Sequence, residues 1–320
     1  MDNFWQQYWW TVVIGILAVL LLIYIIYRIY QIFHIDYYWE RNLHFPQWSN
    51  EGIITRDNYF LHTEFKFVDN SKYIIIGVHG MGASLTDFKT STKYFTKNGI
   101  SFLSFDQRGF GENEKWKYHT LGTTINDIKD IISVLNERYP DKKIILMGES
   151  LGSALTALAA KKLTKMIDGA ILTNFVTKKQ VFKLKPSLVC QSLWGFLFHK
   201  HHNLPLTFEM EEISTNPKYI KNGKMRAMTN MKFTLLFSLQ AQKLSKNVPK
   251  NLNSAKCPVL IVQSGKDAFA DFNKIKINNK HWRDGITYNF YENGKHAILN
   301  ESNIIEILDD VKKWIDSSNV

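Results

Sequence analysis

Short apolar runs that alternate with helical segments restrict the fold of this 320-residue sequence more than any other feature. Six such runs occur, at 73–79, 100–106, 143–147, 169–172, 258–262 and 287–291. Runs this short that are apolar on both faces are typical of buried parallel strands. Three segments with helical spacing of apolar residues accompany them, at 123–139, 151–163 and 301–315. Because such alternation buries both faces of a parallel sheet under helices, the sequence predicts an α/β fold with a mostly parallel sheet.

The segment from about 175 to 255 interrupts this alternation. It is rich in Phe, Met, Lys and His, and its apolar residues have helical rather than strand spacing. We therefore predict a helical insertion after the fourth strand. An insertion at this point would lie above the C-terminal edge of the sheet, where open α/β folds bind their ligands.

The N-terminal segment is apolar enough to span a membrane. No charged residue occurs from Asn3 to Tyr27, and the centre of the segment, 11–23, is almost wholly apolar. About 20 such residues in a helix cross the roughly 30 Å hydrocarbon layer. Aromatic residues, which settle at the lipid–water interface, flank this centre: Trp5, Tyr8, Trp9, Trp10, Tyr24, Tyr27 and Tyr30. The sequence predicts a transmembrane anchor over 1–30, a connector over 31–60 and a globular domain over 61–318.

Two other interpretations of the N-terminal segment are less favoured. A cleavable signal peptide would have a basic start and a small-residue cleavage site, and neither is present. A buried core helix of this length would be unusual without a polar face. The nearby positive charges, Arg28 and Arg41, lie on the C-terminal side, among Asp36 and Glu40. The positive-inside tendency then predicts a single-pass protein of the cell membrane whose globular domain faces the cytoplasm.

The net charge of +11 does not indicate a nucleic-acid partner. Most of the basic residues are lysines scattered along the chain, without the run of five or more that marks an electrostatic arm. No nucleic-acid-binding motif accompanies them. The two cysteines, Cys190 and Cys257, are too few for a disulfide framework, and we interpret both as structural.

The pentapeptide Gly148–Gly152 has the pattern G-x-S-x-G, which predicts a nucleophile elbow. It follows an apolar strand and begins an alanine-rich helix, which is the context that this turn requires. The turn is tight, so small residues must flank the serine. The N-terminus of the following helix favours negative charge that develops near the hydroxyl. We therefore predict Ser150 as a nucleophile.

A serine hydroxyl needs a base and an orienting acid to react at neutral pH. In this architecture the chain order is Ser, then Asp or Glu, then His. Asp267 follows the fifth predicted strand and His296 follows the sixth, which places both at the same sheet edge as Ser150. These two residues are the predicted acid and base. Asp271 remains an alternative acid, and His281, outside any strand-end loop, is a less favoured base.

Two backbone N–H groups are expected to bind the oxyanion of the reaction. One belongs to Leu151, the residue after the serine. The other is predicted at Met81, in the glycine-containing loop His79–Gly82 after the first apolar run. No metal and no cofactor are predicted. The cluster of His199, His201 and His202 has no carboxylate or cysteine around it at ligand spacing, which favours a solvated basic loop.

These motifs resemble the α/β-hydrolase superfamily, and within it the monoglyceride lipase/lysophospholipase group, which is related to the serine aminopeptidase family. The resemblance covers roughly 50–318 and rests on His79–Gly82, Phe105–Gly111, Gly148–Gly152 and the loops of Asp267 and His296. It implies that the insertion forms a lid and that the substrate is a lipid-like ester.

The resemblance also assigns structural roles and shows two departures. The Asp-x-x-Gly-x-Gly run is usually structural in the group, so we predict no catalytic role for Asp106 or Arg108. The group usually has His or Tyr where Phe110 stands, and a second glycine where Ser153 stands. Neither departure affects a predicted triad residue.

The sequence therefore predicts a membrane-anchored serine hydrolase that cleaves carboxylic esters through an acyl-serine intermediate, with no obligate protein partner. Three alternatives stay open at this point. An aminopeptidase or amidase would need an acidic pocket for a substrate amine, which Glu209, Glu211 and Glu212 in the insertion could supply. A thioesterase would use the same triad. A membrane scaffold that has kept the fold without activity is the alternative outside the enzymes.

Overall fold

One nine-stranded sheet forms the centre of the computed structural model, which describes residues 2–34, 44–113, 120–177, 186–198, 209–230, 235–279 and 281–318. The strands within these ranges are β1 (Gln47–Ser49), β2 (Gly52–Ile54), β3 (Phe60–Lys66), β4 (Tyr73–Val78), β5 (Ser101–Phe105), β6 (Lys143–Glu149), β7 (Gly169–Thr173), β8 (Val259–Ser264) and β9 (Ile286–Tyr291). The helices are α1 (Asp2–Phe33), α2 (Lys89–Lys97), α3 (Leu121–Arg138), α4 (Leu151–Lys162), α5 (Pro186–Phe198), α6 (Met210–Ile213), α7 (Pro217–Asn230), α8 (Leu235–Lys246), α9 (Val248–Ser254), α10 (Phe272–Asn279) and α11 (Ile304–Ser317).

The sheet is mostly parallel, as the alternation of apolar runs predicts. Its strand order is β1-β2-β3-β5-β4-β6-β7-β8-β9. The six strands β4 to β9 pair in parallel and correspond to the six apolar runs. The three predicted helices are α3, α4 and α11, with ends that differ from the prediction by a few residues.

The beginning of the domain differs from the sequence prediction. The predicted connector, 31–60, contains β1 and β2, and β3 starts at its last residue, Phe60. These three strands pair antiparallel at one edge of the sheet, and β3 joins them to β5. The sheet therefore starts at Gln47. These strands were not predicted because short edge strands are partly exposed and lack the continuous apolar runs of buried strands.

Two apolar layers cover the two faces of the sheet. Side chains alternate along a strand, so Ile74 and Ile76 of β4 pack in the layer formed with α3 and α4. Ile75, between them, belongs to the opposite layer, which includes Trp314 of α11 and Phe95 of α2. Burial on both faces explains why the central strands are apolar throughout.

Asp106 and Arg108 make structural contacts. Asp106 accepts hydrogen bonds from the backbone N–H of Leu85, at 2.7 Å, and from the backbone N–H of Glu112, at 2.9 Å. The buried Arg108 guanidinium lies between two carboxylates, with Asp57 at 2.7 Å and Asp127 at 2.6 Å. A buried charge is tolerated when it is paired in this way. These contacts fix the loop that follows β5.

The segment between β7 and β8 is helical where the structure describes it, and it contains α5 to α9. Of these helices, α8 packs on α4 and also on the N-terminal helix α1. Within Tyr8–Phe33 of α1, the most apolar window of 18 residues has a mean hydropathy of 2.7, and only 6% of that window is buried in the protein. By length and composition α1 is a candidate membrane span.

Candidate active site

Ser150 occupies a strained turn between β6 and α4. Its backbone φ of 56° and ψ of −115° lie in a region that L-residues rarely adopt. The flanking glycines are required because there is no space for a side chain at either position. A Cβ at Gly148 would overlap the carbonyl of Gly152, and a Cβ at Gly152 would overlap the carbonyl of Val78. The strand–turn–helix context that the motif requires is therefore present.

The structure brings together the three side chains that the sequence predicts as a triad. The Nε2 atom of His296 lies 2.8 Å from the Ser150 Oγ. Its Nδ1 atom lies 2.9 Å from the Asp267 Oδ1. A carboxylate accepts only, so Nδ1 carries the proton and Nε2 is the acceptor for the serine hydroxyl. This tautomer is the one that a general base at Ser150 requires.

Asp267, rather than the alternative Asp271, contacts the imidazole. Asp267 is only 3% exposed and also accepts hydrogen bonds from the Gln263 side chain, at 3.0 Å, and from the Phe269 N–H, at 2.8 Å. Asp271 forms an ion pair with Lys274 at 3.3 Å, and hydrogen bonds led by the Lys274 backbone N–H lower the pKa of Asp271. The two carboxylates therefore differ in burial and in partners.

The other charged candidates make local or exposed contacts. His281 is exposed, and its carbonyl accepts a hydrogen bond from the Asn253 side chain. Glu211 pairs with Lys224 at the surface, and Glu212 accepts the backbone N–H of Glu209 at the start of α6. The histidine cluster at 199–202 lies outside the described residues.

The loop after β4 contacts the nucleophile. A Cβ at Gly80 would stand 3.2 Å from the Ser150 Cβ, so the backbone of this loop passes directly beside the serine. The buried His79 side chain holds the loop. Its Nε2 accepts the Gln107 N–H at 2.9 Å, which leaves the proton on Nδ1, 2.7 Å from the Gly80 carbonyl. Met81 is the next residue of this loop.

Leu151 supplies the second predicted N–H group. It is the first residue of α4, and the first N–H groups of a helix have no acceptor within it. In the chain, Leu151 directly follows Ser150, and Met81 directly follows Gly80, whose backbone passes beside the serine. The oxyanion role of these two N–H groups stays a prediction.

Asn174 is a residue of this site that the sequence interpretation missed. It follows β7 directly, with a positive φ of 49°, and is fully buried. Its Nδ2 lies 2.8 Å from the Lys295 carbonyl and 2.6 Å from the His296 carbonyl, and its Oδ1 accepts the Ser264 N–H at 2.7 Å. Asn174 thus connects the histidine loop to the ends of β7 and β8. A polar residue directly after a buried strand was the available signal.

A serine, an imidazole and a carboxylate connected by hydrogen bonds at the C-terminal edge of a mostly parallel sheet define an α/β-hydrolase. Within this class, the chain belongs to the serine aminopeptidase S33 family (Hydrolase_4), whose model matches residues 69–303. The α/β-hydrolase resemblance that the motifs indicate is confirmed by this match.

Similar proteins include monoglyceride lipases. A monoglyceride lipase homolog of Monkeypox virus is 21% identical over 274 residues, which are 83% of this chain and 98% of that protein. The monoacylglycerol lipase of Paleococcus ferrophilus has a TM-score of 0.67 at 16% identity, with 80% of this chain and 98% of the other covered. A soluble variant of the Saccharomyces cerevisiae monoglyceride lipase, solved with a substrate analog, also has a TM-score of 0.67, at 15% identity, covering 89% and 99%.

Proposed function

We propose that this protein is a membrane-anchored serine hydrolase that cleaves carboxylic esters of lipids, of the monoacylglycerol or lysophospholipid type. The observation that carries the proposal is the continuous hydrogen-bonded series from Ser150 through His296 to Asp267. The likeness to monoglyceride lipases supports a lipid ester as the substrate. The apolar helix α1 supports a membrane as the place of reaction.

The proposed reaction proceeds through an acyl-serine intermediate. His296 Nε2 takes the proton of Ser150 as Oγ attacks the ester carbonyl carbon, and Asp267 stabilises the resulting imidazolium. The N–H groups of Met81 and Leu151 stabilise the oxyanion. The imidazolium then gives its proton to the leaving alcohol as the ester C–O bond breaks. A water molecule, deprotonated by the same imidazole, releases the acyl group as a carboxylic acid.

The proposed location is the cell membrane, with α1 as a single span and the catalytic domain on the cytoplasmic side. The apolar stretch Tyr8–Phe33 is long enough for such a span. The positive charges near its end, Arg28 and Arg41, support the cytoplasmic orientation of the domain.

An aminopeptidase is the second candidate, because the chain belongs to the serine aminopeptidase S33 family. A substrate ammonium group would need a carboxylate partner near Ser150, because a charge that is removed from water is costly unless it is paired. The acidic residues that the sequence offers for this purpose, Glu209, Glu211 and Glu212, are exposed, and Glu211 is paired with Lys224. The ester hydrolase is therefore the better supported of the two.

Labelling with a fluorophosphonate probe tests whether Ser150 is an activated nucleophile. The full chain in detergent micelles is first incubated with a fluorophosphonate probe, which reacts only with an activated serine. We expect labelling at Ser150, located by mass spectrometry, because His296 is positioned to deprotonate the hydroxyl. Heat-denatured protein is the control. Absence of labelling in the folded protein would support the inactive scaffold instead.

A substrate panel then determines which class of bond the enzyme cleaves fastest. Turnover is compared for monooleoylglycerol, a lysophosphatidylcholine, palmitoyl-coenzyme A and leucine p-nitroanilide. We expect fatty acid release from one of the first two substrates to be the fastest reaction. Faster cleavage of the anilide would replace the proposal with an aminopeptidase. Faster cleavage of the thioester would replace it with a thioesterase.

Removing the Asn174 side chain should lower kcat for p-nitrophenyl butyrate by about 10²-fold with little change in KM, because small displacements of a catalytic group are costly. Asn174→Gly is suitable since glycine accepts the positive φ of this position without strain. Steady-state kinetics and a thermal melt measure the effect. Asn58→Gly, at an exposed turn with a φ of 60°, is the matched control and should retain wild-type kcat. An unchanged kcat in Asn174→Gly would show that Asn174 does not position His296.

A further inference from the structure

The C-terminal turns of α1 are bonded to the end of α5. The Arg28 Nε donates to the Phe196 carbonyl at 2.8 Å, and its Nη2 donates to the same oxygen. Its guanidinium also lies over the Phe196 ring, 5.0 Å from the centroid. One turn earlier, the Tyr24 hydroxyl donates to the Leu197 carbonyl. Two side chains of α1 therefore hold the final turn of α5.

These contacts satisfy groups that α5 itself leaves without partners. The last four carbonyls of a helix receive no hydrogen bond from an N–H group of the same helix, and they form the negative end of the helix dipole. Phe196 and Leu197 belong to the last turn of α5, which ends at Phe198. The Arg28 side chain is fully buried and supplies both N–H donors and a positive charge. An arginine within an apolar span is costly unless paired, and here its partner is the end of α5.

A second helix of the insertion joins this contact. The Gln240 side chain of α8 donates to the Gln31 carbonyl of α1 at 2.8 Å, and the Lys243 ammonium lies 4.8 Å from the Phe33 ring centroid. Since α8 also packs on α4, the helix that begins after Ser150, α1 is connected to the candidate active site through the insertion.

The face of α5 turned away from the protein is exposed and apolar. Val189, Leu193, Trp194 and Phe198 are 40%, 53%, 55% and 51% exposed, and the whole helix, Pro186–Phe198, contains no charged residue. Gln191 is the exposed polar residue among the described side chains of this helix. Exposed apolar side chains grouped on one helix in this way mark a site of contact with a membrane or with another protein.

We propose that α5 lies in the surface of the bilayer that holds α1, and that Arg28 fixes it there by capping its C-terminus. The occupant of the apolar face is identified by continuity, because the lipid that surrounds α1 must extend to a helix bonded to its last turns. The inference rests on the proposed anchoring of α1. It assigns α5 as the part of the insertion that contacts the lipid.

Cys190 provides a probe of this face. It is exposed on α5, whereas Cys257 is buried, and burial raises the pKa of the Cys257 thiol to about 11. At pH 8 the Cys257 thiol is protonated and inaccessible, so a thiol-reactive nitrobenzoxadiazole dye labels Cys190. The full chain is labelled in detergent and then reconstituted into phosphatidylcholine vesicles. Retention in the vesicles after alkaline carbonate extraction tests the anchoring of α1 separately.

In vesicles that retain the protein after carbonate extraction, we expect the dye emission to be blue-shifted. Lipids that carry a nitroxide near the headgroup should quench this emission. In Arg28→Met the emission should shift toward its value in water and the quenching should be lost. Hydrolysis of monooleoylglycerol in the vesicles should fall, while turnover of soluble p-nitrophenyl acetate is retained. Trp194→Gln, at an exposed position, should weaken the quenching without affecting folding.

Three results would overturn the inference while leaving the proposed activity intact. The first is water-like emission in wild-type protein that resists carbonate extraction. The second is blue-shifted emission that lipid nitroxides do not quench and that depends on the protein-to-lipid ratio, which would assign the face to a second copy of the chain. The third is unchanged emission and quenching in Arg28→Met.

Discussion

Replacing Ser150 by alanine is expected to lower kcat for p-nitrophenyl butyrate by about 10⁶-fold, since removal of a serine nucleophile costs this much in a comparable triad. The physical reason is that the His296 imidazole then has no hydroxyl to deprotonate, and the acyl-serine intermediate cannot form. Steady-state kinetics with the purified variant measures the loss. Circular dichroism checks that the Ser150→Ala variant keeps the secondary structure of the wild-type protein.

Ser153→Ala is the matched control for this prediction. Ser153 is also buried, and its hydroxyl donates to the carbonyls of Gly148 and Thr173, both at 2.8 Å. Its loss should reduce stability by about 1 kcal/mol and leave most of the activity, because no reacting atom is removed. A loss of kcat in Ser150→Ala no greater than that in Ser153→Ala would place the nucleophile elsewhere.

Asp267→Asn is expected to lower kcat by about 10⁴-fold, as does the same substitution of the acid in a serine triad. The asparagine amide would donate to the His296 Nδ1, which moves the imidazole proton to Nε2. An imidazole in that tautomer cannot accept the proton of the Ser150 hydroxyl. The variant preserves the shape of the side chain, so the loss of kcat reports the tautomer rather than a cavity.

Asp271→Asn distinguishes this role from a general effect of a lost carboxylate. Asp271 lies four residues away, is partly exposed and pairs with Lys274. Its substitution should leave kcat near the wild-type value, because it does not contact the imidazole. The reverse result, with Asp271→Asn inactive and Asp267→Asn active, would reassign the acid.

The central part of the fold could be predicted from the sequence because β4 to β9 are buried on both faces. Such strands must be apolar throughout, which makes them visible as runs. The antiparallel strands β1 to β3 could not be found in this way. They lie toward one edge of the sheet, where some side chains face solvent, so β1 and β2 merge with the apparent connector.

The candidate site could be predicted where a residue's place in the chain also determines its place in the fold. Ser150, Asp267 and His296 each follow a parallel strand, and the ends of these strands meet at one edge. Asn174 and Arg28 could not be assigned in the same way. Their partners are backbone carbonyls of distant loops and helices, and no pattern in the sequence indicates which carbonyl will be near.

The position of the insertion has a consequence for how this protein can change over evolution. It leaves the sheet after β7 and returns at β8, and these two strands are paired neighbours, with Ala170 opposite Val259. Because the ends of the insertion are held together by the sheet itself, its length can vary at a small cost in chain entropy. The proposed lipid contact of α5 and the proposed chemistry at Ser150 therefore lie in separable parts of the chain. New specificities can arise by exchange of α5 to α7, whereas α8 and α9 share the core with α4 and must be kept with the machinery around Ser150.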